Sequence, residues 1–429
     1  MKRILSLLLC LAVFLPVFAG CGGNSIASPA ETETKEEKAE TKTETKAETQ
    51  KAPLPEIPAE NRLSAEKIAA FPIANSSMSE EELRTLCVEF FRFSQTFAWT
   101  PSETWRYTIG NNTTAHYMTQ GKVYGGFPYL HGSGNVYRML EYYDEETGEV
   151  NMAEAGKNQR FFGNFCSYGS AWGFSRVVNS ASHKLTQDMV PKNGYIPLGS
   201  YKMNLNLKEF PENETVAICN DNGKQVMYES YALLKPADAL VYYTTGGHII
   251  MVSSVHVERG ADGAIDGKAS YVTFIDQATD EWDGKLANGK SYEVQGGVDK
   301  KYTFSKLFSA AYIPYTFAEF LGTDPVEPGE AKLDTDKTEL TLDELIAAKL
   351  SANYIISDIF VDFIDAERKT VDTKVVRTAN GGITTTSLSK GIFAAGTKKY
   401  ADGNHSVRIT CQIGNGEKLP VWEGKLLAN

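Results

Sequence analysis

The chain has 429 residues, enough for two folded domains, and a net charge of −11, with 54 acidic against 43 basic residues. This acidic balance excludes the broad basic surface that nucleic-acid binding requires, so no nucleic-acid partner is expected. The cysteines beyond residue 60 are too sparse and too irregularly spaced for a disulfide framework or a zinc site: Cys87, Cys166, Cys219 and Cys411.

The first 21 residues have the pattern of a secretory signal that ends in a lipid-attachment cysteine. A positive start precedes the apolar stretch 4–18, which is too short to span a bilayer comfortably, and Cys21 follows two small residues. This ending resembles the lipobox of bacterial lipoproteins; an ordinary secretory signal is the alternative. The resemblance implies a protein held at the extracytoplasmic face of the cell membrane by a lipid, typically palmitate, on Cys21.

Residues 22–60 are predicted to be a disordered tether. From residue 31 to residue 51 the chain is almost entirely Glu, Thr, Lys and Ala, with no apolar face to bury, and three prolines separate it from the more apolar sequence downstream. The folded part is therefore expected to begin near residue 61.

Two helices are predicted in the first domain. Ser79 is followed by three glutamates, and apolar residues then recur at helical spacing up to about residue 97. Cys87 lies on this apolar stripe and is predicted to be a core residue. A second helix is predicted over residues 165–179, beginning at or just after Cys166.

Strand patterns dominate the rest of the chain, and they divide into two groups. The first domain, residues 61–323, ends in predicted strands at 239–244, 249–257 and 270–275. After a linker composition at 322–330, residues 331–429 contain several short strands, one of which alternates apolar and polar residues around Cys411. This second domain is predicted to be a small β-sandwich with an immunoglobulin-like arrangement.

Cys166 and His248 are the candidate nucleophile and base. The thiolate is the reactive form of cysteine, and both a helix N-terminus and a nearby imidazolium favour it. Cys166 is predicted to open a helix, and His248 stands directly before an apolar strand. The simple alternative is a buried structural cysteine together with an unrelated polar residue at a strand edge.

Five short elements occur along residues 120–280 in a fixed order: Pro128-Tyr129, Cys166-Ser167, Lys235-Pro236-Ala237-Asp238, Gly247-His248 and Asp276-Gln277. This order resembles that of the papain-like cell-wall hydrolases, which include the NlpC-type peptidases and the CHAP amidases. The resemblance implies an α+β fold in which the helix bearing the cysteine packs on an antiparallel sheet.

The resemblance also implies a role for each matching position. Cys166 would attack an amide carbonyl, and His248 would take up and later release the proton. Asp276 or Gln277 would orient the imidazole, since strand alternation lets only one of them face the site. The Cys166 N–H would help to stabilise the oxyanion. Substrate contacts are expected from Tyr129, Ser167 and Tyr168.

The implied substrate is an amide bond in a peptidoglycan peptide or at the sugar–peptide junction. Endopeptidase and N-acetylmuramoyl-L-alanine amidase activities are therefore both open. The family pattern is altered at Ala237, Asp276 and Ala278. It is also altered beside the cysteine, at Phe165 and Tyr168. They motivate an alternative from another class, a binding or adhesion lipoprotein that keeps a papain-like fold without catalysis.

The remaining candidates are weaker. Cys219 has no histidine nearby in sequence and is predicted to be a turn or core residue. The other histidines show no ligand spacing with carboxylates, so no metal or other cofactor is expected. Gly296-Gly297 lacks the lysine and helix of a phosphate loop. The protein is expected to act as a monomer.

Overall fold

The computed structural model describes residues 54–109, 114–179, 185–377, 384–388 and 396–428. The predicted signal peptide, Cys21 and most of the predicted tether lie outside these ranges. Within them, no helix combines the length and the apolar character needed to cross a membrane.

The first part of the chain is a mixed α+β unit. Its helices are α1 (Ala65–Ala69), α2 (Glu80–Thr96), α3 (Val136–Met139), α4 (Met152–Lys157), α5 (Gln159–Phe162), α6 (Cys166–Phe174), α7 (Glu214–Tyr231), α8 (Phe304–Ser309) and α9 (Ala318–Leu321). Its strands are β1 (Ala98–Pro101), β2 (Trp105–Thr108), β3 (Ala115–Met118), β4 (Tyr124–Gly125), β5 (Glu149–Val150), β6 (Ile196–Pro197), β7 (Ala239–Tyr243), β8 (Gly247–His256), β9 (Tyr271–Lys285), β10 (Ser291–Thr303) and β11 (Ile313–Thr316).

One large sheet forms the centre of this unit, with the strand order β5-β1-β4-β10-β9-β8-β7-β11-β6. Neighbouring strands are antiparallel except for the β1–β5 and β4–β10 pairs. The predicted strands at 239–244, 249–257 and 270–275 correspond to β7, β8 and β9. However, β9 continues to Lys285 because it pairs with β10, a strand that was not predicted. An Asn288-Gly289 turn closes this hairpin, and the pairing overrides the low strand propensity of the polar residues in β9.

The two predicted helices are present and pack against the same sheet. Ser79 and Glu82 form the predicted capping box at the start of α2. Cys87 is fully buried, which confirms its assignment to the core. α6 is shorter than predicted, and its glycines allow close packing. A Cβ on Gly173 would lie 2.8 Å from atoms of both Phe91 in α2 and Met251 in β8.

The helix α7 was not predicted. It carries Cys219, whose side chain is buried, so this residue lies in a helix rather than in a turn. The helical path is interrupted at Gly223, which has a φ of 77°. Glycine and the polar residues before it have low helix propensity, and packing of the helix against the sheet overrides that preference.

The second part of the chain contains α10 (Leu342–Ala347) and the strands β12 (Ala331–Leu333), β13 (Glu339–Thr341), β14 (Lys349–Ala352), β15 (Ile356–Ile364), β16 (Thr370–Arg377), β17 (Thr385–Ser387), β18 (Ser406–Ile413) and β19 (Lys418–Leu427). They form a three-stranded sheet, β12-β14-β17, and a five-stranded sheet, β13-β19-β18-β15-β16. Both sheets contribute to one buried cluster that includes Cys411. The molecule as a whole therefore belongs to the predicted α+β class.

A buried ion pair joins the two parts of the chain. Arg138 Nε lies 3.1 Å from Asp358 Oδ1, and their side chains are only 1% and 3% exposed. Asn135 donates a hydrogen bond to Ser357 Oγ over 3.1 Å. Ser175, directly after α6, donates to the Gly414 carbonyl. The second unit is thus docked on the first beside the helix that carries Cys166.

Candidate active site

Cys166 is the first residue of α6, and the preceding turn is held by backbone hydrogen bonds. The Asn164 N–H donates to the Pro128 carbonyl over 3.1 Å, and the Leu130 N–H donates to the Asn164 carbonyl over 2.8 Å. Phe165, the N-cap residue, provides no side-chain cap. The first turn of α6 therefore presents its backbone N–H groups without a capping side chain, next to the thiol.

His248 lies at the start of β8 and is oriented by Asp276 in β9. Its Nε2 atom is 3.0 Å from Asp276 Oδ2. Because this bond engages Nε2, Nδ1 is the ring nitrogen left to face a thiol. The His248 side chain is 15% exposed and the Asp276 side chain 4%. The sheet therefore holds this pair in a largely water-free position.

Cys166 and His248 are also brought together. Burial lowers the pKa of His248, but the hydrogen bond with Asp276 and the hydrogen bond and charge interaction with Cys166 raise it to about 10. The imidazolium form is therefore favoured at neutral pH. A positive charge beside a thiol at a helix start is the environment in which a reactive thiolate forms.

The structure assigns different hydrogen-bond partners to Asp276 and Gln277, the two candidates to orient the imidazole. Asp276 bonds the ring, whereas Gln277 Nε2 donates to the Phe127 carbonyl over 2.8 Å. The Gln277 side chain lies against α6, where a Cβ on Gly169 would be 3.3 Å from its own Cβ. Gln277 thus anchors the chain segment before Tyr129 instead of reaching His248.

Ser167 and Tyr168, predicted to contact substrate, are both buried in this structure. These residues are 2% and 1% exposed, because α6 packs against α2 and against β8 and β9 of the sheet. Burial raises the pKa of Tyr168, whose ring packs 5.8 Å from that of Phe165.

Tyr129 lies beside the turn that leads to Cys166. Its backbone forms a bridge with Asn164, and its N–H donates to Gln295 Oε1 over 2.6 Å. The side chain is 7% exposed. Tyr129 is therefore next to the nucleophile segment, as expected, but it is mostly covered.

A cleft of about 60 Å³ is lined by residues of β2 and β3 and by Phe127 and Pro128, which directly precede Tyr129. Gln295 connects the two regions, since its side-chain oxygen accepts hydrogen bonds from both the Tyr129 N–H and the Tyr107 hydroxyl. The lining combines aromatic and polar side chains, among them Trp99, Tyr107, His116, Tyr124, Glu281 and Gln295.

One further charged residue at the site, Lys300 in β10, was not identified from the sequence. Its Nζ atom lies 3.4 Å from each carboxylate oxygen of Asp276. The available sequence signal was Gly296-Gly297, a pair of glycines inside a strand, which is typical of a bulge.

The other thiols of the described chain have no comparable environment. Burial raises the pKa of Cys219 and of Cys411 to about 12, and it raises that of Cys87 further. Among the described residues, no three His, Cys, Asp or Glu side chains converge on a point where they could bind a metal ion. Cys166 is thus the thiol that the fold pairs with an imidazole.

Comparison with known proteins gives no relative. No protein-family model matches the chain, and no match is found among curated proteins or solved structures. The function is therefore inferred from the chemistry of the site.

Proposed function

We propose that the protein is a cysteine hydrolase of amide bonds, with a papain-like first domain. The observation that carries the proposal is the arrangement of Cys166 at the start of α6, His248 beside it, and Asp276 bonded to His248 Nε2 at 3.0 Å. A nucleophile, a base and a group that orients the base are the three parts that thiol catalysis requires.

The reaction can be derived from this arrangement. The Cys166 thiolate attacks the carbonyl carbon, and the oxyanion is stabilised by N–H groups at the start of α6. The C–N bond breaks as His248 Nδ1 gives its proton to the leaving amine, which leaves an acyl thioester on Cys166. His248 then accepts a proton from water, and the resulting attack releases the acid and restores the thiolate.

The substrate is proposed to be a peptidoglycan peptide, cleaved within the stem or at the sugar–peptide junction. This assignment is supported by the ordered elements around Tyr129, Cys166 and His248. A lipid on Cys21 would hold the enzyme at the outer face of the cell membrane, where this polymer lies. The second domain would be an immunoglobulin-like spacer or wall-binding module.

Digestion of purified peptidoglycan tests the proposal. The wild-type protein is compared with Cys166→Ala and with Cys219→Ala, a matched control that removes a buried thiol outside the site. We expect soluble fragments from the wild type and the control, with loss of at least a hundredfold for Cys166→Ala. Mass spectrometry of the fragments identifies the bond. Equal product profiles for wild type and Cys166→Ala would contradict the proposal.

A non-catalytic binding lipoprotein is the second candidate, and one observation favours it. Cys166 is only 2% exposed, so the thiol is not open to a large substrate in this conformation. The two candidates differ in thiol chemistry. An activated Cys166 reacts with iodoacetamide near pH 6, well below the ordinary thiol pKa of about 8.5, whereas a structural thiol does not. Cys219 in the same sample is the internal reference.

The membrane anchor has its own test. Metabolic labelling with a palmitate analogue should label the wild-type protein, and Cys21→Ser should abolish the label. A label that persists in Cys21→Ser would contradict the lipobox interpretation. The hydrolase proposal does not depend on this result.

A further inference from the structure

Lys300 reaches the carboxylate of Asp276 from the neighbouring strand. Its Nζ atom lies 3.4 Å from both Asp276 oxygens, and it forms a second ion pair with Asp280 Oδ2. The Lys300 side chain is 16% exposed, whereas that of Asp280 is 60% exposed. The ammonium group therefore sits between a buried carboxylate that bonds His248 and an exposed one at the surface.

The backbone of β10 is shaped to allow this approach. The β9–β10 pairing shifts register on both sides of Gly297. Gly296 has a φ of +103°, and a Cβ there would lie 2.3 Å from the Asp276 carbonyl oxygen. A Cβ on Gly297 would lie 2.2 Å from Lys300 Cδ, so the lysine stem runs directly across this glycine. Bulges of this kind redirect side chains next to functional sites.

Lys300 is the second basic side chain at the buried Asp276 carboxylate, after His248. Asp276 is 3% exposed, and its Oδ1 accepts no hydrogen bond from the described residues. A buried carboxylate oxygen without a hydrogen-bond donor is stabilised by a nearby ammonium group. Burial lowers the pKa of Lys300, but Asp276 and Asp280 raise it above its ordinary value, so the ammonium is charged at neutral pH.

We propose that Lys300 is a positioning residue of the active site: its ammonium holds the Asp276 carboxylate in place against His248, and its positive charge extends thiol reactivity to lower pH. This inference rests on the proposed function. Lys300 does not touch the reacting atoms, and it acts through Asp276.

The sign of the effect is set by electrostatics. A cation near the site stabilises the anionic thiolate, so removing it raises the pH at which the thiolate forms. The charged and titratable groups that surround the ammonium and its carboxylate partner come from several elements: Asp276, Asp280, His248, Tyr302, Tyr312 and Cys166. Since the substitution of Lys300 leaves all of these groups in the chain and removes only the lysine charge, a shift of the midpoint reports on that charge.

The test is the pH dependence of Cys166 alkylation by iodoacetamide, read by peptide mass spectrometry, in the wild type, Lys300→Met and Lys300→Arg. Lys285→Met is the matched control, because Lys285 lies exposed at the far end of the same hairpin. We expect the midpoint of the alkylation profile to rise by on the order of half a pH unit or more in Lys300→Met. Lys300→Arg, which keeps the charge, and Lys285→Met should retain the wild-type midpoint.

The outcomes separate the two proposals. Cys166 that stays unreactive near pH 6 in the wild type contradicts the hydrolase proposal and with it this inference. A reactive wild type with the same midpoint in Lys300→Met overturns the role of Lys300 alone. A purely structural role would lower the melting temperature and the extent of alkylation without moving the midpoint. Circular dichroism of each variant verifies that the chain is folded.

Discussion

The hydrogen bond between His248 and Asp276 makes the most direct prediction. Asp276→Asn keeps the shape of the side chain and removes its charge. A hydrogen bond to a charged partner contributes about 1.5–3 kcal/mol, which corresponds to about one to two pKa units at 1.36 kcal/mol per unit. His248, whose pKa is raised to about 10 in the wild type, should therefore titrate about one to two units lower in Asp276→Asn. The Lys300 ammonium, left without this carboxylate, pushes the imidazolium pKa in the same direction.

NMR titration of the imidazole carbons in histidine-labelled protein measures this shift between pH 5.5 and 10.5. The His248 resonance is assigned by its absence from His248→Gln. Asp280→Asn is the control, because it removes a carboxylate from the same strand that is 60% exposed and does not bond the ring. Its effect should stay below about half a unit. A wild-type His248 that titrates near the ordinary value of about 6.5, or an unchanged pKa in Asp276→Asn, would refute the assigned pairing.

Three further substitutions test the fold around the site by urea or thermal unfolding. Arg138→Met should destabilise the protein by about 3–5 kcal/mol, since the buried Asp358 loses its nearest cation. Replacing both residues by apolar ones should recover most of this loss. A cost below about 1 kcal/mol for Arg138→Met would contradict the prediction. Gly296→Ala should lower the free energy of unfolding by about 1–3 kcal/mol and slow Cys166 alkylation. The same change at Gly121, where φ is also positive but no atom lies within 4 Å of the added Cβ, should lower it less. Equal losses of stability in the two variants would argue against a steric role for the bulge. Ser79→Ala removes a helix cap and should cost about 1 kcal/mol, with no change in alkylation.

Local patterns in the sequence were sufficient to predict several helices and strands, including the helix that begins at Cys166. The capping box at Ser79, the helix that opens at Cys166 and the alternation around Cys411 are short-range signals, and each appears where it was predicted. Caps and periodicity depend on residues only a few positions apart, so a single sequence contains them. The papain-like and immunoglobulin-like assignments, which depend on connectivity over long distances, remain predictions.

Elements that depend on distant partners were missed. The helix α7 contains Gly223 and polar residues that disfavour helix, and packing against the sheet stabilises it. The second half of β9 is too polar to read as a strand without β10 beside it. The sequence does contain a local signal for the β9–β10 hairpin, since Asn-Gly is typical of hairpin turns and occurs here at Asn288-Gly289.

Some features of the candidate site could likewise be predicted from the sequence, whereas others required the tertiary structure. The residue types and their order along the chain identify Cys166, His248 and the pair Asp276-Gln277 from sequence alone. The choice between Asp276 and Gln277 depends on the tertiary structure, because only the folded chain shows which of the two bonds His248. The approach of Lys300 to Asp276 depends on the register shifts between β9 and β10. Likewise, the burial of Tyr168 depends on the packing of α6 against α2 and the sheet. The physical reason is that the sequence alone determines which chemical groups the chain contains and in what order. The distances between those groups, their burial and their electrostatic environment are determined only when strands that are remote in sequence pair.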